Sequence, residues 1–533
     1  MENLAGLIQH TNFGPLDWGI LILYLVGTII FGLVARRYIA DMDDYVVAGR
    51  GIKTALGVAT LTGTELGLVT VMYAAQKGFN GGFAAFHIGL ASGIVAFFIG
   101  LSGFILAPLR RYNALTIPDF YRKRFGRKTQ ILGGIMLAFG GILNMSLFLK
   151  AGAMFLRVVM GFESEQALLI LMIVLVSAEL FYTIVGGMVS VVLTDYLQFV
   201  VLAFGLVLGT MLAINQTGWS HVFETVAATK GEAGFNPLIA ESAFGVDYVL
   251  FMVFLGIVNC ALWPTSVARA LASENVAVVK KQFMWASISY AIRMIIPYFW
   301  GICAFVFVMS TPALKDAFFP VEAGSPAADS LYAMPVFFST TLPTGLIGLV
   351  TAGMVAAMMS TDSGYFLCWS SVLTNDVVVP LAGDRMKQKT RIWVTRAFIL
   401  IIGVTIFLVS YLYPLRQDLW DFLTVSGAIY FTGAFAVLLG GLYWKRASST
   451  GAVLAMLTGG LAVFGLEAVQ QVLFGSVLGL EAERVTELTK TFASQRVGLG
   501  TIAAALLAMI AGSLLFPDSE REEALTQQVS TQD

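Results

Sequence analysis

Apolar runs constrain this chain more than any other feature. A window of ~19 residues, enough for a helix to cross a bilayer core, finds about thirteen of them. Approximate cores are 16–36, 52–76, 83–107, 128–158, 166–187, 190–213, 246–271, 279–309, 340–374, 389–412, 418–443, 448–474 and 497–516. In hydrocarbon every backbone polar group needs a partner within the chain, so runs of this length are expected to be helices. The expected fold is all-α: one transmembrane domain over residues 1–515, then an acidic, disordered tail over 516–533. Of 533 residues only 12% are charged, about half the share of a soluble protein.

Composition also excludes several classes. No basic cluster accompanies a nucleic-acid module, so no nucleic-acid partner is expected. Cys260, Cys303 and Cys368 are scattered through apolar segments and read as small core residues, not as a metal or disulfide set. Residues 1–17 carry no basic region followed by a cleavage site. No Ser/His, paired-Asp or metal constellation of an enzyme converges at one depth.

Lysine and arginine alternate between loops. One set holds Arg36 and Arg37, Arg110 to Lys128, Lys280 and Lys281, Arg385 to Arg391, and Lys445 and Arg446; the other set holds few. The basic set is expected in the cytoplasm, which puts the N-terminus outside and the C-terminus inside a cell (inner) membrane. The connections 214–245 and 310–339 are long and are expected to carry short helices.

Two spans break the apolar pattern. The ninth contains Ser360-Thr361-Asp362-Ser363, three hydroxyls and a carboxylate in four residues. Such groups at bilayer depth need partners or an ion, and oxygen donors suit a hard cation. The second reads Val58-Ala59-Thr60-Leu61-Thr62-Gly63-Thr64-Glu65-Leu66-Gly67, with two glycines, and a helix unwound there would free carbonyls for a cation. Other polar positions are less specific. Asp195 can cap the sixth span, Lys150 can snorkel or neutralise Glu65, and His87 fits a packed histidine. Arg293 fits a snorkelling or gating residue, and Pro264 after Trp263 marks a kink in the seventh span. Asp362 reads equally as a water-facing group and as a charge on the ion path.

Together these residues carry a family resemblance. Tyr182-Thr183-Ile184-Val185-Gly186-Gly187, then Thr194-Asp195 and Gln198; Pro264 with Arg269; Ala356-Ala357-Met358-Met359-Ser360-Thr361; and Leu439 to Arg446 with Gly451 occur in order. From about residue 15 to 475 the chain resembles the sodium:solute symporter family. The resemblance implies a five-plus-five inverted repeat, spans two to six (52–213) and seven to eleven (246–443), with binding where spans two and seven break. It implies sodium as the coupling ion, held by the carbonyls of Ala59, Thr62 and Ala357 and the hydroxyls of Ser360 and Thr361. Asp195 and Ser363 match a second sodium site or a release path, but Gly364 stands where members with that site have a hydroxyl. Substrate positions by the same resemblance are Glu65, His87, Trp263, Arg293 and Thr424.

The expected function is sodium-driven import of a small polar organic solute (sugar, amino acid, amine or organic acid) by alternating access. One chain is the expected functional unit, and the lipid bilayer its surroundings. Two alternatives stay open here: a proton-coupled transporter using Glu65, His87 or Asp362, and a sensor that has lost transport.

Overall fold

The computed structural model describes residues 11–35, 50–320, 327–383, 385–413 and 418–518. The expected tail therefore lies almost entirely outside the described residues. The helices that matter here are α1 (Pro15–Ala35), α2 (Thr54–Glu65), α3 (Leu68–Gly81), α4 (Phe86–Ser102), α5 (Arg127–Met145), α6 (Phe148–Val159) and α7 (Glu165–Thr217). They continue with α8 (Val246–Ala261), α9 (Pro264–Leu271), α10 (Val276–Ser310), α11 (Leu346–Val372), α12 (Gln388–Leu412), α13 (Leu419–Tyr443), α14 (Ser449–Gly460) and α15 (Ser494–Leu515). Among the described residues the isolated extended pairing is one bridge between Ile52 and Ser273.

Among the described residues ten helical runs are long and apolar enough to cross a membrane, or eleven with the bent pair Ser449–Gly465 and Glu467–Val477. The expectation of about thirteen differs for two local reasons. The second and third expected spans meet in one apolar run, Leu68–Ser102, where Gly82 turns the backbone with φ 62°. The first span counts as a shorter apolar helix, Pro15–Ile30. The fifth and sixth expected spans, 166–187 and 190–213, are present as two apolar runs, Glu165–Ile184 and Thr194–Thr217, carried on one 53-residue helix, α7. The expected short helices in the long connections are present as Trp219–Lys230, Pro312–Phe318 and Ala333–Thr341.

Two short helix breaks bear on the site, one between α2 and α3 and one between α8 and α9. At the second, Pro264 cannot donate a backbone bond, and both Leu262 and Trp263 N–H groups fall back on the Val258 carbonyl (2.9 and 2.8 Å). At the first the last bond of α2 is Leu66 N–H to the Thr62 carbonyl (3.1 Å). The next helix opens with Val71 N–H to the Gly67 carbonyl (3.2 Å). The break thus falls at Leu66–Gly67, at the C-terminal end of the stretch where it was expected. Gly63 is instead a packing glycine: a Cβ there would stand 3.3 Å from the Asp195 carbonyl and 3.4 Å from Ser360 Oγ.

Packing around the breaks is tight. Helices α3 and α10 approach so closely that a Cβ on Gly78 would strike the Tyr298 carbonyl, and one on Gly301 the Ala75 carbonyl. Helix α11 is the core element: every residue from Val350 to Val372 is buried. A helix buried all round cannot sort its polar side chains to a solvent face. Its hydroxyls must therefore meet other helices.

Candidate functional site

The α2 break releases two successive carbonyls in different directions. The Thr64 carbonyl accepts a hydrogen bond from Thr361 Oγ1 of α11 (2.8 Å). The Glu65 carbonyl accepts one from Arg293 Nη1 of α10 (2.7 Å). Glycine at 67 permits this, because a Cβ there would lie 2.7 Å from Thr361 Oγ1. The break therefore has an α11 side and an α10 side.

On the α11 side the centre is Asp195 of α7, which is fully buried. Ser360 Oγ bonds to its Oδ1. Thr60 Oγ1 (2.7 Å) and Thr64 Oγ1 (3.0 Å) bond to its Oδ2. Thr60 and Thr64 are four residues apart and share a face of α2. Spacing alone could have picked them out, yet the sequence reading passed over them. Arg269 of α9, also fully buried, donates from Nη2 to Thr64 Oγ1 (2.6 Å) and lies 3.4 Å from Asp195 Oδ2.

The other expected ion ligands divide. Ala59 is buried one turn before Gly63, on the face of α2 that meets Ser360, and Ala357 is buried one turn before Thr361. Thr62 Oγ1 turns away, 2.8 Å from the Val58 carbonyl and 2.8 Å from Ser289 Oγ. Its carbonyl accepts from Leu66 N–H and keeps a second lone pair. Ser363 Oγ bonds back to the Ser360 carbonyl (3.1 Å), so it is not directed at Asp195. Asp362 faces neither water nor this cluster: it lies buried within hydrogen-bonding reach of Glu179, a carboxyl the sequence reading did not single out.

On the α10 side Glu65 is held by α9, the helix after the second break, and by α10. Thr265 Oγ1 (2.6 Å) and Ser266 Oγ (2.8 Å) of α9 lie on its Oε1, and Arg293 Nη1 lies 3.3 Å from its Oε2. The Arg293 guanidinium also sits over the Tyr290 ring, 4.1 Å from its centroid. Arg293 thus neutralises Glu65 and does not snorkel to an interface. Lys150, the other expected neutraliser, donates to the Tyr413 carbonyl (2.9 Å).

Glu65 and Arg293 border a cavity of about 70 Å³, room for a few waters in this conformation. Trp263 and Thr424 line it too, as expected of substrate positions. His87 does not: its Nδ1 lies 2.6 Å from the Ala84 carbonyl and its ring packs against Phe244 and Tyr248. Asn144 and Asn259 add polar lining that was not anticipated.

Aromatic side chains close both ends. Tyr73 and Trp420 meet at 4.4 Å between centroids, and a turn beyond Tyr73, Lys77 bridges Asp418 (3.3 Å) and Asp421 (3.0 Å). At the other end Trp263 Nε1 donates to Tyr365 OH (2.6 Å), and both rings pack edge-on against Trp369.

The family model for the sodium:solute symporter family matches residues 45–459. The sodium/proline symporter of Haemophilus influenzae is 26% identical over 477 residues, covering 84% of this chain and 87% of that one. The Escherichia coli sodium/proline symporter is 25% identical, covering 86% and 90%. The solved structure of a Na+-coupled sialic acid symporter, in a substrate-bound outward-open state, superimposes with a TM-score of 0.74 at 18% identity. It covers 95% of this chain and 98% of that one, and it shows the same fold. The chain belongs to the sodium:solute symporter family and is a membrane transporter that couples solute movement to sodium, not an enzyme.

Proposed function

We propose that the two sides of the α2 break are the sodium site and the solute site of an importer. Sodium is held between α2 and α11 by the hydroxyls of Ser360 and Thr361 and the carbonyls of Ala357, Ala59, Thr62 and Thr64. All are hard oxygen donors. The solute lies in the cavity beside Glu65 and Arg293, flanked by Trp263 and Thr424. The release of adjacent carbonyls, Thr64 toward Thr361 and Glu65 toward Arg293, carries this reading. It links the two ligands through one turn of backbone, so each biases the conformation the other prefers.

The site also narrows the solute. Glu65 is already neutralised by Arg293, so a solute of net charge would enter bilayer depth uncompensated. A net-neutral solute with hydrogen-bonding groups fits best, and a small zwitterionic amino acid is the leading class. The proline named for the relatives is one such solute. The basic loops face the cytoplasm of the cell (inner) membrane, the N-terminus lies outside and one chain is the transporting unit. An inward sodium gains ~2.3 kcal/mol per 100 mV, which drives accumulation.

The test is uptake of zwitterionic, cationic and anionic solutes into proteoliposomes with and without a sodium gradient. Sodium-stimulated uptake of a zwitterion, absent in Thr361→Ala, is expected. Equal sodium stimulation in that variant would overturn the site, and exclusive uptake of charged solutes would overturn the solute class.

A further inference from the structure

Asp195 and Arg269 form an ion pair enclosed on all sides, and the pair is oddly furnished. Asp195 is saturated by Ser360, Thr60 and Thr64. Arg269 is not: its Nε and Nη1 are buried with no acceptor among the described residues, and Nη2 is the nitrogen engaged. A buried guanidinium with unused donors is costly to keep. Its hydrogen bonds therefore do not account for it, whereas its charge does. The carboxylate beside it would otherwise be the one uncompensated charge in this cluster.

Space is made for the guanidinium by Gly364. A Cβ at that position would lie 3.1 Å from Arg269 Nη2, 3.6 Å from Nη1 and 3.1 Å from Thr64 Cγ2. Any side chain there must push on the guanidinium or on α2. The neighbouring hydroxyl gives no help to an ion, because Ser363 Oγ is turned to the Ser360 carbonyl. A cation at Asp195 would thus meet a fixed positive charge and lack the hydroxyl that position 364 does not supply.

We propose that Arg269 is a tethered cation that takes the place of a second sodium at Asp195, so that each protein binds a single sodium ion. The surroundings of Asp195 do not suit a free ion, because the fixed guanidinium already supplies the counter-charge. Arg269 travels with α9 and Asp195 with α7. The counter-charge is therefore never released to solution, whereas the ion beside Thr361 is. This inference rests on the sodium reading of Thr361, and the number of ions bound separates the two.

Sodium alone is a sufficient probe. The full chain in detergent is equilibrated with radioactive sodium, and ions per protein are counted at saturation. The wild type is expected to bind one, with a Hill coefficient of one, and Thr361→Ala none. Arg269→Lys keeps a tethered charge and is expected to stay at one. The double variant Arg269→Ala with Gly364→Ser removes the tethered charge and adds a hydroxyl; it is expected to rise to two. Two ions per wild-type protein would overturn the proposal while leaving the Thr361 site standing. No ion at all would overturn the Thr361 site itself. A folded double variant that stays at one would also refute the tethered-cation role, and if it does not fold, the wild-type count decides alone.

Discussion

Two carboxylate–arginine pairs flank the same helix break, and they are built differently. Asp195–Arg269 is completely enclosed, with both side chains at 0% exposure. Glu65–Arg293 borders the cavity, with side chains at 7% and 6%. The first pair is stitched into three helices by threonine and serine hydroxyls. The second meets α9 hydroxyls on one carboxylate oxygen and leaves its other oxygen and the guanidinium near the cavity. The lesson is that equal chemistry serves opposite ends. An enclosed pair fixes a charge in place, whereas a pair bordering a cavity sets what charge may enter.

That contrast can be broken by experiment. The largest effect is expected on stability. Removing one partner of a buried pair strands the other, at about 3–5 kcal/mol. Asp195→Ala should therefore lower the thermal unfolding midpoint markedly more than Glu65→Ala, because the cavity lets water reach Arg293. Equal losses would erase the distinction. Next comes ligand affinity. Thr361→Ala should abolish sodium-stimulated uptake, measured as flux against sodium concentration. Arg293→Gln should raise the solute KM by ~10-fold, about 1.4 kcal/mol, with sodium half-saturation little changed. A parallel shift in both constants would mean the two sides are not separate.

A subtler test concerns selectivity. Glu65→Gln leaves the Arg293 charge uncompensated, so competition assays should show improved binding of monocarboxylates relative to zwitterions. Unchanged ranking would count against charge balance as the filter. The smallest effect is expected at His87, which packs against Phe244 and Tyr248 away from the cavity. His87→Ala should leave the solute KM within about twofold, a mutational change of ~0.4 kcal/mol.

The sequence made some of this legible and hid the rest for definable reasons. Apolar length revealed the helices, and hydroxyls at bilayer depth picked out Ser360 and Thr361, which meet Asp195 and the Thr64 carbonyl. Pro264 marked the α8–α9 break because proline lacks a donor. The α2 break was legible only to within a stretch, since two glycines competed and only packing tells them apart: Gly67 faces Thr361 Oγ1, and Gly63 faces Ser360 and the Asp195 carbonyl. Charge partners were the least legible. Glu65 finds Arg293 from 228 residues away, although Lys150 lies nearer in sequence. Asp362 finds Glu179, and neither neighbourhood predicts the other. His87 drew attention by rarity, which carries no information about direction.

One feature of the scaffold separates the ion site from its surroundings. Helix α11 is buried without interruption from Val350 to Val372, whereas α12 exposes Leu400, Ile401, Val404 and Leu408 on its outer side. Bilayer thickness acts through helices that touch acyl chains, each ångström of mismatch costing a fraction of a kcal/mol. The helix proposed to bind sodium is insulated from that force, and the outer helices are not. Lipids of differing acyl length should then change how fast the transporter turns over without changing the sodium concentration that half-saturates it.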